Sequence, residues 1–190
     1  MDIREERYPS GRLKTQREVL VLRDGREVNH GVYNYWDAAG QKRSEKHFHN
    51  GQRHGPWSTW NADGSLREQS NYVLGKRVGT TTLWYGSGQK WSQVVYNDGV
   101  EEGVFSSWYP SGGHQVECTF TEGRIVGEWT RWYESGAVRE QRFYRKGQLH
   151  GDRIVWHENG EIILQETWVD GRIPGAPDRR RRTPDMRGEK

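Results

Sequence analysis

Short runs rich in aromatic and apolar residues alternate along this chain with polar turns that contain glycine, and the pattern repeats every 24 residues. The unit that begins at Gly55 is typical. Its first run ends at the turn Asn61-Ala62-Asp63-Gly64, and its second run, Ser65–Tyr72, ends at Val73-Leu74-Gly75. Runs of about six to eight residues between turn signals have the length of strands and are too short for stable helices. The pattern therefore predicts one β-hairpin per unit.

Several positions of the unit recur in register, which identifies a tandem repeat. The first glycine of the six units is Gly31, Gly55, Gly79, Gly103, Gly127 and Gly151. Five residues later stands a tryptophan, at Trp36, Trp60, Trp84, Trp108, Trp132 and Trp156. Seventeen residues after the first glycine stands a further aromatic, at Phe48, Tyr72, Tyr96, Phe120, Tyr144 and Trp168. We call the recurring tryptophans the ladder.

The two turns of the unit predict tight hairpin loops. The first turn reads DAAG, NADG, YGSG, YPSG, YESG and HENG, and the second reads HNG, VLG, NDG, TEG, RKG and VDG. Small or polar residues ahead of glycine fit a loop whose last residue has a positive φ, where glycine carries no steric penalty. Since such loops join antiparallel neighbours, the units are predicted to form one continuous meander.

The predicted fold is all-β: an elongated, single-layer antiparallel β-meander of about six 24-residue hairpins with an N-terminal capping hairpin. We divide the chain into a cap (1–28), a repeat array (29–173) and a basic disordered tail (174–190). Tyr8-Pro9-Ser10-Gly11 echoes the first turn and Arg23-Asp24-Gly25 echoes the second, although their spacing is three residues longer than in the array. Terminal repeats often protect an edge strand in this way.

Strand spacing places equivalent positions of neighbouring hairpins about 10 Å apart. The ladder tryptophans are therefore expected to follow one another along one face of the sheet, where their size suits a structural role. The aromatic at the seventeenth position is expected to lie across the strands from the first glycine, at the start of a strand, and to cover the gap that glycine leaves.

Strand alternation places the second and sixth residues after the first glycine on the face opposite the ladder. Aromatic residues at these positions are concentrated in the middle of the array and give way to polar residues at both ends. A patch of tyrosine, tryptophan and arginine with a polar rim is typical of protein-binding surfaces. The alternative is that both faces carry aromatics to stiffen the sheet. The predicted partner contacts are Tyr85, Phe105, Tyr109, Trp129 and Tyr133.

The pattern G-x-W-x-x-W-Y-x-x-G, followed by an aromatic and a G-[KR]-x-x-G link, resembles the MORN repeat. More narrowly, it resembles the variant found in bacterial YwqK-like antitoxin proteins. The unit from Gly127 to Gly151 shows the likeness best, and His54 to Gly79 nearly as well. The resemblance covers roughly residues 29–173. It implies an elongated single sheet that binds a partner without catalysis, and the antitoxin likeness implies a toxin encoded nearby.

Composition fits a thin sheet better than a closed core. The mean hydropathy of −1.09 would by itself suggest disorder, but ten tryptophans, six of them in one register, argue against that. The lone Cys118 excludes an internal disulfide framework. Neither a signal-peptide core nor a membrane-length apolar run is present, so a cytoplasmic location is expected.

The net positive charge of the chain comes from its C-terminal residues. Residues 172–190 carry seven basic and three acidic side chains, and the whole chain has a net charge of +3, so the remainder is slightly acidic. Arg179–Arg182 could attract nucleic acid or an acidic membrane, although a solvated terminus is the simpler interpretation. Without a basic stripe on the repeats, specific nucleic-acid binding is not expected.

No cofactor, metal or catalytic site is predicted. His30, His54 and His150 share one repeat position and are about 10 Å apart or more, too far to share a zinc ion. His47 and His49 are the only pair that the pattern places together, and they are better explained as polar surface residues. The carboxylates and serines do not form an acid–base pair or a nucleophile motif, so the chain is not expected to be an enzyme.

The leading functional hypothesis is a protein-binding module that sequesters a partner, as the antitoxin resemblance implies. The alternatives are a ligand-binding surface, similar to choline-binding repeats whose aromatics enclose a quaternary ammonium, and attachment to a membrane surface through the basic tail. Association of two arrays through their exposed edge strands is left open.

Overall fold

The computed structural model describes residues 1–175, which form fifteen β-strands and no helix. The strands are β1 Asp2–Arg7, β2 Leu13–Val21, β3 Glu27–Trp36, β4 Lys42–His49, β5 Gln52–Trp60, β6 Leu66–Val73, β7 Lys76–Trp84, β8 Lys90–Asn97, β9 Val100–Glu101, β10 Gly103–Trp108, β11 His114–Thr121, β12 Arg124–Trp132, β13 Val138–Arg145, β14 Gln148–Trp156 and β15 Ile162–Trp168.

All fifteen strands belong to one open antiparallel sheet, in which strands that follow one another along the chain are neighbours. The exception is the short β9, which pairs with β8 and lies off the main path. Glu102 separates β9 from β10, and its N–H donates to the carbonyl of Val95 at 2.9 Å. The predicted all-β, single-layer meander is thus confirmed.

The first turn of each unit is a three-residue hairpin loop that ends in a left-handed glycine. In the second unit, Gly64 has a φ of +85° and donates to the carbonyl of Asn61 at 3.1 Å. Asn61 in turn donates to the carbonyl of Ser65 at 2.9 Å. The same pair of bonds and a positive φ recur in the other five first turns, so the predicted loop is confirmed.

The second turn is a two-residue loop in which both central residues have positive φ. Asn50 and Gly51, with φ of +49° and +82°, show the type I′ geometry that favours asparagine and glycine. Leu74 occupies the position of Asn50 in the next unit with a φ of +46°, which is unfavourable for a branched side chain. The N–H of the turn glycine also donates a hydrogen bond to an earlier strand: that of Gly75 donates to the carbonyl of Arg53 on β5 at 2.7 Å.

The predicted register between the first glycine and the later aromatic is confirmed. Each glycine pairs directly with the aromatic of its own unit: Gly31 with Phe48, Gly55 with Tyr72, Gly79 with Tyr96, Gly103 with Phe120, Gly127 with Tyr144 and Gly151 with Trp168. The position of the glycine was predicted less well. Gly55 lies inside β5 rather than at its start, because its φ of +95° creates a bulge that the strand passes through.

The N-terminal hairpin, β1 and β2, lies at the first edge of the sheet. One detail of its prediction was wrong, because Arg23-Asp24-Gly25 does not form the second type of turn. The N–H of Gly25 donates to the carbonyl of Leu22, and the N–H of Leu22 donates to the carbonyl of Arg26. These are the two hydrogen bonds that characterise the first turn of each unit. The divisions at residues 28 and 173 stay predictions.

Few residues of this sheet are fully buried. Val19, Tyr72 and Cys118 are the only buried apolar side chains in residues 1–175, and small polar residues such as Ser70 are buried beside them. In the described part of the chain, no helix is long and apolar enough to span a membrane. The arginine run Arg179–Arg182 lies outside the described residues.

Candidate binding face

A row of opposed side chains crosses the second half of the sheet on one face. Phe105 on β10 pairs with Cys118 on β11, which pairs with Trp129 on β12, and Trp129 pairs with Arg142 on β13. Directly opposed residues of antiparallel strands lie on the same face, with their Cβ atoms about 5 Å apart. Two of the predicted contacts, Phe105 and Trp129, therefore lie on one face, separated by Cys118.

An equivalent row, at the same repeat positions, lies in the first half of the array. Tyr33 pairs with Lys46, Lys46 with Trp57, and Trp57 with Ser70. We call the side of the sheet that carries this row the aromatic face. The row has aromatic residues in both halves of the array.

The aromatic residues at the seventeenth position lie on the same face and pack edge-on against the row. The ring centroids of Phe105 and Phe120 are 6.4 Å apart, and those of Trp57 and Tyr72 are 4.9 Å apart. Edge-to-face contacts of this kind stabilise a pair by about 0.5–1.5 kcal/mol beyond the burial of area. These aromatics are thus part of the face.

Basic side chains lie among these rings. The guanidinium carbon of Arg142 is 4.5 Å from the ring centroid of Trp129, and that of Arg53 is 4.5 Å from Trp57. The ammonium of Lys46 lies 5.0 Å from the centroid of Trp57. The sequence pattern does not indicate these residues, because their spacing from the rings is meaningful only once the pairing of neighbouring strands is known.

At the C-terminal end of the face the charges are paired. Glu140, which is 7% exposed, accepts hydrogen bonds from Nε of Arg142 and Nε of Arg153, each at 2.8 Å. Burial acts to raise the pKa of Glu140, but the bonds from the two arginines outweigh it and the pKa is lowered. Arg153 extends the network to Glu166 at 3.3 Å. Arg142 is therefore held over Trp129 by a fixed carboxylate.

The other three predicted contacts, Tyr85, Tyr109 and Tyr133, are half-buried and lie in the first turns. Each hydroxyl donates to the main-chain carbonyl of the next ladder tryptophan: Tyr85 to Trp108 at 2.9 Å, Tyr109 to Trp132 at 2.7 Å and Tyr133 to Trp156 at 2.8 Å. These tyrosines therefore join neighbouring turns, and their contact with a partner stays a prediction.

Cys118 lies in the row between Phe105 and Trp129 and is 4% exposed. Burial raises the pKa of its thiol to about 11. A thiol of such a high pKa is a poor nucleophile at neutral pH, so Cys118 acts here as a small packing residue.

The opposite side of the sheet carries the ladder tryptophans, and we call it the ladder face. Trp132 lies there with Glu117, Glu128 and Thr130 around a surface cavity of about 490 Å³. An adjoining cavity of about 380 Å³ is lined by Glu117, Trp132 and His114. The six ladder tryptophans are all half-buried, and their structural role stays a prediction.

The histidine pair indicated by the sequence was wrong. His49 lies between His30 and His54, with ring centroids 4.8 Å and 5.6 Å away, whereas His47 is close to Glu45. The reason is register: Gly31 pairs with Phe48, which brings the preceding residue, His30, beside His49. Within residues 1–175, no three His, Cys, Asp or Glu side chains are arranged to hold a metal ion.

Four parts of the chain match the family model described as MORN repeat variant: residues 53–73, 101–122, 125–146 and 149–170. Each match covers a hairpin around a first turn, and together they span somewhat less than half of the chain. No curated protein matches the chain. MORN repeats generally occur in repeat modules of binding proteins and are generally non-catalytic. The narrower likeness to YwqK-like antitoxins stays a prediction. The chain is thus a single antiparallel β-meander in which four hairpins match the MORN repeat variant.

Proposed function

We propose that this array is a non-catalytic module that binds a protein through its aromatic face and sequesters it, as an antitoxin or immunity protein does. The observation that carries the proposal is the aromatic and basic side chains that share one face of the sheet in both halves of the array. Tryptophan, tyrosine and arginine are the residue types that dominate binding energy at protein interfaces.

The face is preorganised for binding. Trp129 is packed against Arg142, and Arg142 is held by Glu140. Side chains fixed in this way lose little conformational entropy when a partner binds, so more of the contact energy contributes to affinity. Phe105 and Trp129 both keep part of their surface exposed, which leaves area for a partner to cover.

Charge on the face indicates the chemistry of the partner. Lys46 and Arg53 flank Trp57, and neither forms an ion pair with another residue of the described chain. Arg142 and Arg153 are, by contrast, neutralised by Glu140 and Glu166. The partner is therefore expected to present acidic side chains near the first half of the array, where they would meet the two free cations.

The test is capture of the partner from an extract of the native host with the intact protein and with a Phe105→Ala/Trp129→Ala variant. A matched control, Val104→Ala/Phe143→Ala, removes exposed apolar side chains outside the row. Circular dichroism first establishes that all three proteins have the same fold. The proposal predicts one stoichiometric partner that the row variant loses and the control retains.

The antitoxin part of the proposal needs a second readout. The captured protein, expressed alone, should arrest growth, and co-expression with the intact array should relieve the arrest. A partner that is not toxic would leave a binding module that is not an antitoxin. A partner that binds the row variant as well as the intact protein would show that the aromatic face is not the binding site.

A second candidate function is binding of a small cationic ligand, and one observation favours it. The cavity beside Trp132 on the ladder face combines an indole ring with the carboxylates of Glu117 and Glu128. Aromatic rings and carboxylates together are the groups that recognise organic cations in proteins. Titration of the protein with choline, followed through the indole N–H signals in NMR spectra, tests this function independently of the aromatic face.

A further inference from the structure

The ladder face contains its own example of a bound ammonium group. The Nζ of Lys42, at the start of β4 in the first unit, lies 5.8 Å from the ring centroid of Trp60 in the second unit. The same ammonium forms an ion pair with Glu45, three residues further along β4. The arrangement recurs two units further along the chain, where Lys90 lies at the same distance, 5.8 Å, from the ring of Trp108. An ammonium over the next ladder tryptophan is therefore a recurrent arrangement on this face.

The fourth and fifth units retain the carboxylate and the tryptophan of this arrangement but lack the lysine. Glu117 and Trp132 occupy the positions of Glu45 and Trp60, while His114 replaces Lys42. The imidazole of His114 packs between Trp108 and Trp132, with centroids 5.7 Å and 5.8 Å away. Glu117 is exposed and forms no ion pair within residues 1–175. Two adjoining cavities, of about 490 and 380 Å³, lie beside Glu117 and Trp132.

A second carboxylate strengthens this site. Glu128 lines the larger cavity, at the repeat position where the second unit has Pro56. Its Oε1 accepts hydrogen bonds from Thr130 at 2.9 Å and from Gln141 at 2.6 Å, which orient the carboxylate. Like Glu117, it has no basic partner among the described residues. The cavity is therefore bordered by two carboxylates and an indole, and no cation of the described chain compensates them.

We propose that this cavity binds an alkylammonium group, which contacts the indole of Trp132 beside the imidazole of His114, as Lys42 contacts Trp60. The positive charge would lie near the indole ring, and the N–H groups would donate to Glu117 and Glu128. The inference gives a ligand class to the second candidate function. It does not depend on the aromatic face, which lies on the other side of the sheet. The group comes either from a free amine or from a lysine of another protein.

The test is titration of the isotopically labelled protein with n-butylammonium chloride, observed at the indole N–H signal of Trp132. Sodium chloride at equal ionic strength and n-butanol are the controls for salt and for the alkyl chain. The expected result is a saturable shift of Trp132 with n-butylammonium alone. An equal shift with either control would overturn the proposal.

Three variants distinguish binding at this site from a general effect of the protein's charge. Removing one carboxylate charge, with Glu117→Gln or Glu128→Gln, should weaken binding about three- to tenfold. The control Glu45→Gln removes the same charge at a site that Lys42 already occupies, and the affinity at Trp132 should not change. The proposal fails if all three variants bind alike.

A fourth variant tests the comparison with Lys42 directly. His114→Lys gives the fourth unit the lysine of the first, and its ammonium should lie over Trp132 and exclude added n-butylammonium. Binding of the amine to this variant as strongly as to the intact protein would contradict the proposal. The variant should also be at least as stable as the intact protein, so lost binding can be distinguished from unfolding by a thermal melt.

The source of the ammonium is distinguished by comparing two ligands at equal ionic strength. One is cadaverine, a free diamine, and the other is a capped pentapeptide with lysine between pairs of glycines. Tighter binding of the peptide assigns the site to a protein lysine, and tighter binding of cadaverine assigns it to a free amine. Failure of both to shift Trp132 would overturn the site without affecting the proposed partner contacts at Phe105 and Trp129.

Discussion

The phenol hydroxyl of Tyr109 donates a hydrogen bond of 2.7 Å to the main-chain carbonyl of Trp132, one repeat further along the chain. Tyr8 makes the corresponding bond to Trp36 at 3.0 Å in the N-terminal hairpin. Asp37, at the repeat position of Tyr109, instead pairs with Arg43. The tyrosines of the first turns in the middle of the array thus have a structural explanation, separate from partner binding.

Tyr109→Phe is expected to destabilise the array by about 1 kcal/mol, because it removes one hydroxyl–carbonyl bond and keeps the ring. Urea unfolding followed by circular dichroism measures the change. Tyr33→Phe is the matched control, since the hydroxyl of Tyr33 has no hydrogen-bond partner among the described residues. Equal effects of the two changes would show that the bond of Tyr109 contributes nothing to stability.

Leu74→Asn is expected to stabilise the protein by about 0.5–1 kcal/mol. Leu74 has a φ of +46° in a type I′ turn and is 56% exposed, so the substitution relieves backbone strain and loses little packing. Thermal unfolding measures the gain. The control Val73→Asn introduces the same residue at the neighbouring exposed position, which has no positive φ, and should give no gain. A melting temperature of Leu74→Asn at or below that of the intact protein would contradict the prediction.

The features that could be predicted from the sequence depend on residues within one hairpin. A glycine that ends a four-residue polar turn requires a positive φ, and Gly64 shows it. The pairing of Gly55 with Tyr72 follows from the same hairpin, because a tight turn between two strands determines their register. The meander follows from repeating this unit.

The features that could not be predicted depend on contacts between hairpins. Tyr109, in the first turn of one unit, bonds to Trp132 of the next unit, twenty-three residues later. Bulges make these neighbours hard to infer, since β12 shifts its register against β11 between Cys118 and Thr119. The cavity beside Glu117 could not be predicted either, because it requires the position of the next unit.

Glu140→Gln is expected to destabilise the protein by about 2–3 kcal/mol, because it leaves Arg142 and Arg153 without their shared carboxylate. The loss should be smaller than for a fully buried pair, since both arginines are partly exposed. Urea unfolding at neutral pH measures it. Glu158→Gln, at an exposed turn position, is the control and should change the stability by less than about 0.5 kcal/mol. A loss of that small size in Glu140→Gln would mean that the network is not stabilising.

The stability of the protein is also expected to depend on pH through the carboxylate of Glu140. The pKa of Glu140 is lowered in the folded protein relative to the ordinary value of 4.5. Its stabilising contribution is therefore complete above about pH 4.5 and is lost as the pH falls through the folded-state pKa. The free energy of unfolding should decrease with acidification in this range, and less steeply in Glu140→Gln. Parallel pH profiles of the two proteins would rule out the contribution.

The thiol of Cys118 reports on the centre of the aromatic face. Burial raises its pKa to about 11, and the chain has one cysteine, so any thiol signal comes from this site. Ellman's reagent at pH 8 should react at least about a hundredfold more slowly with the folded protein than with the urea-unfolded chain, because both thiolate fraction and access are reduced. Removal of the ring that pairs with Cys118 on β12, by Trp129→Ala, should accelerate the reaction in the folded state. Unchanged reactivity in that variant would show that Trp129 does not cover the thiol.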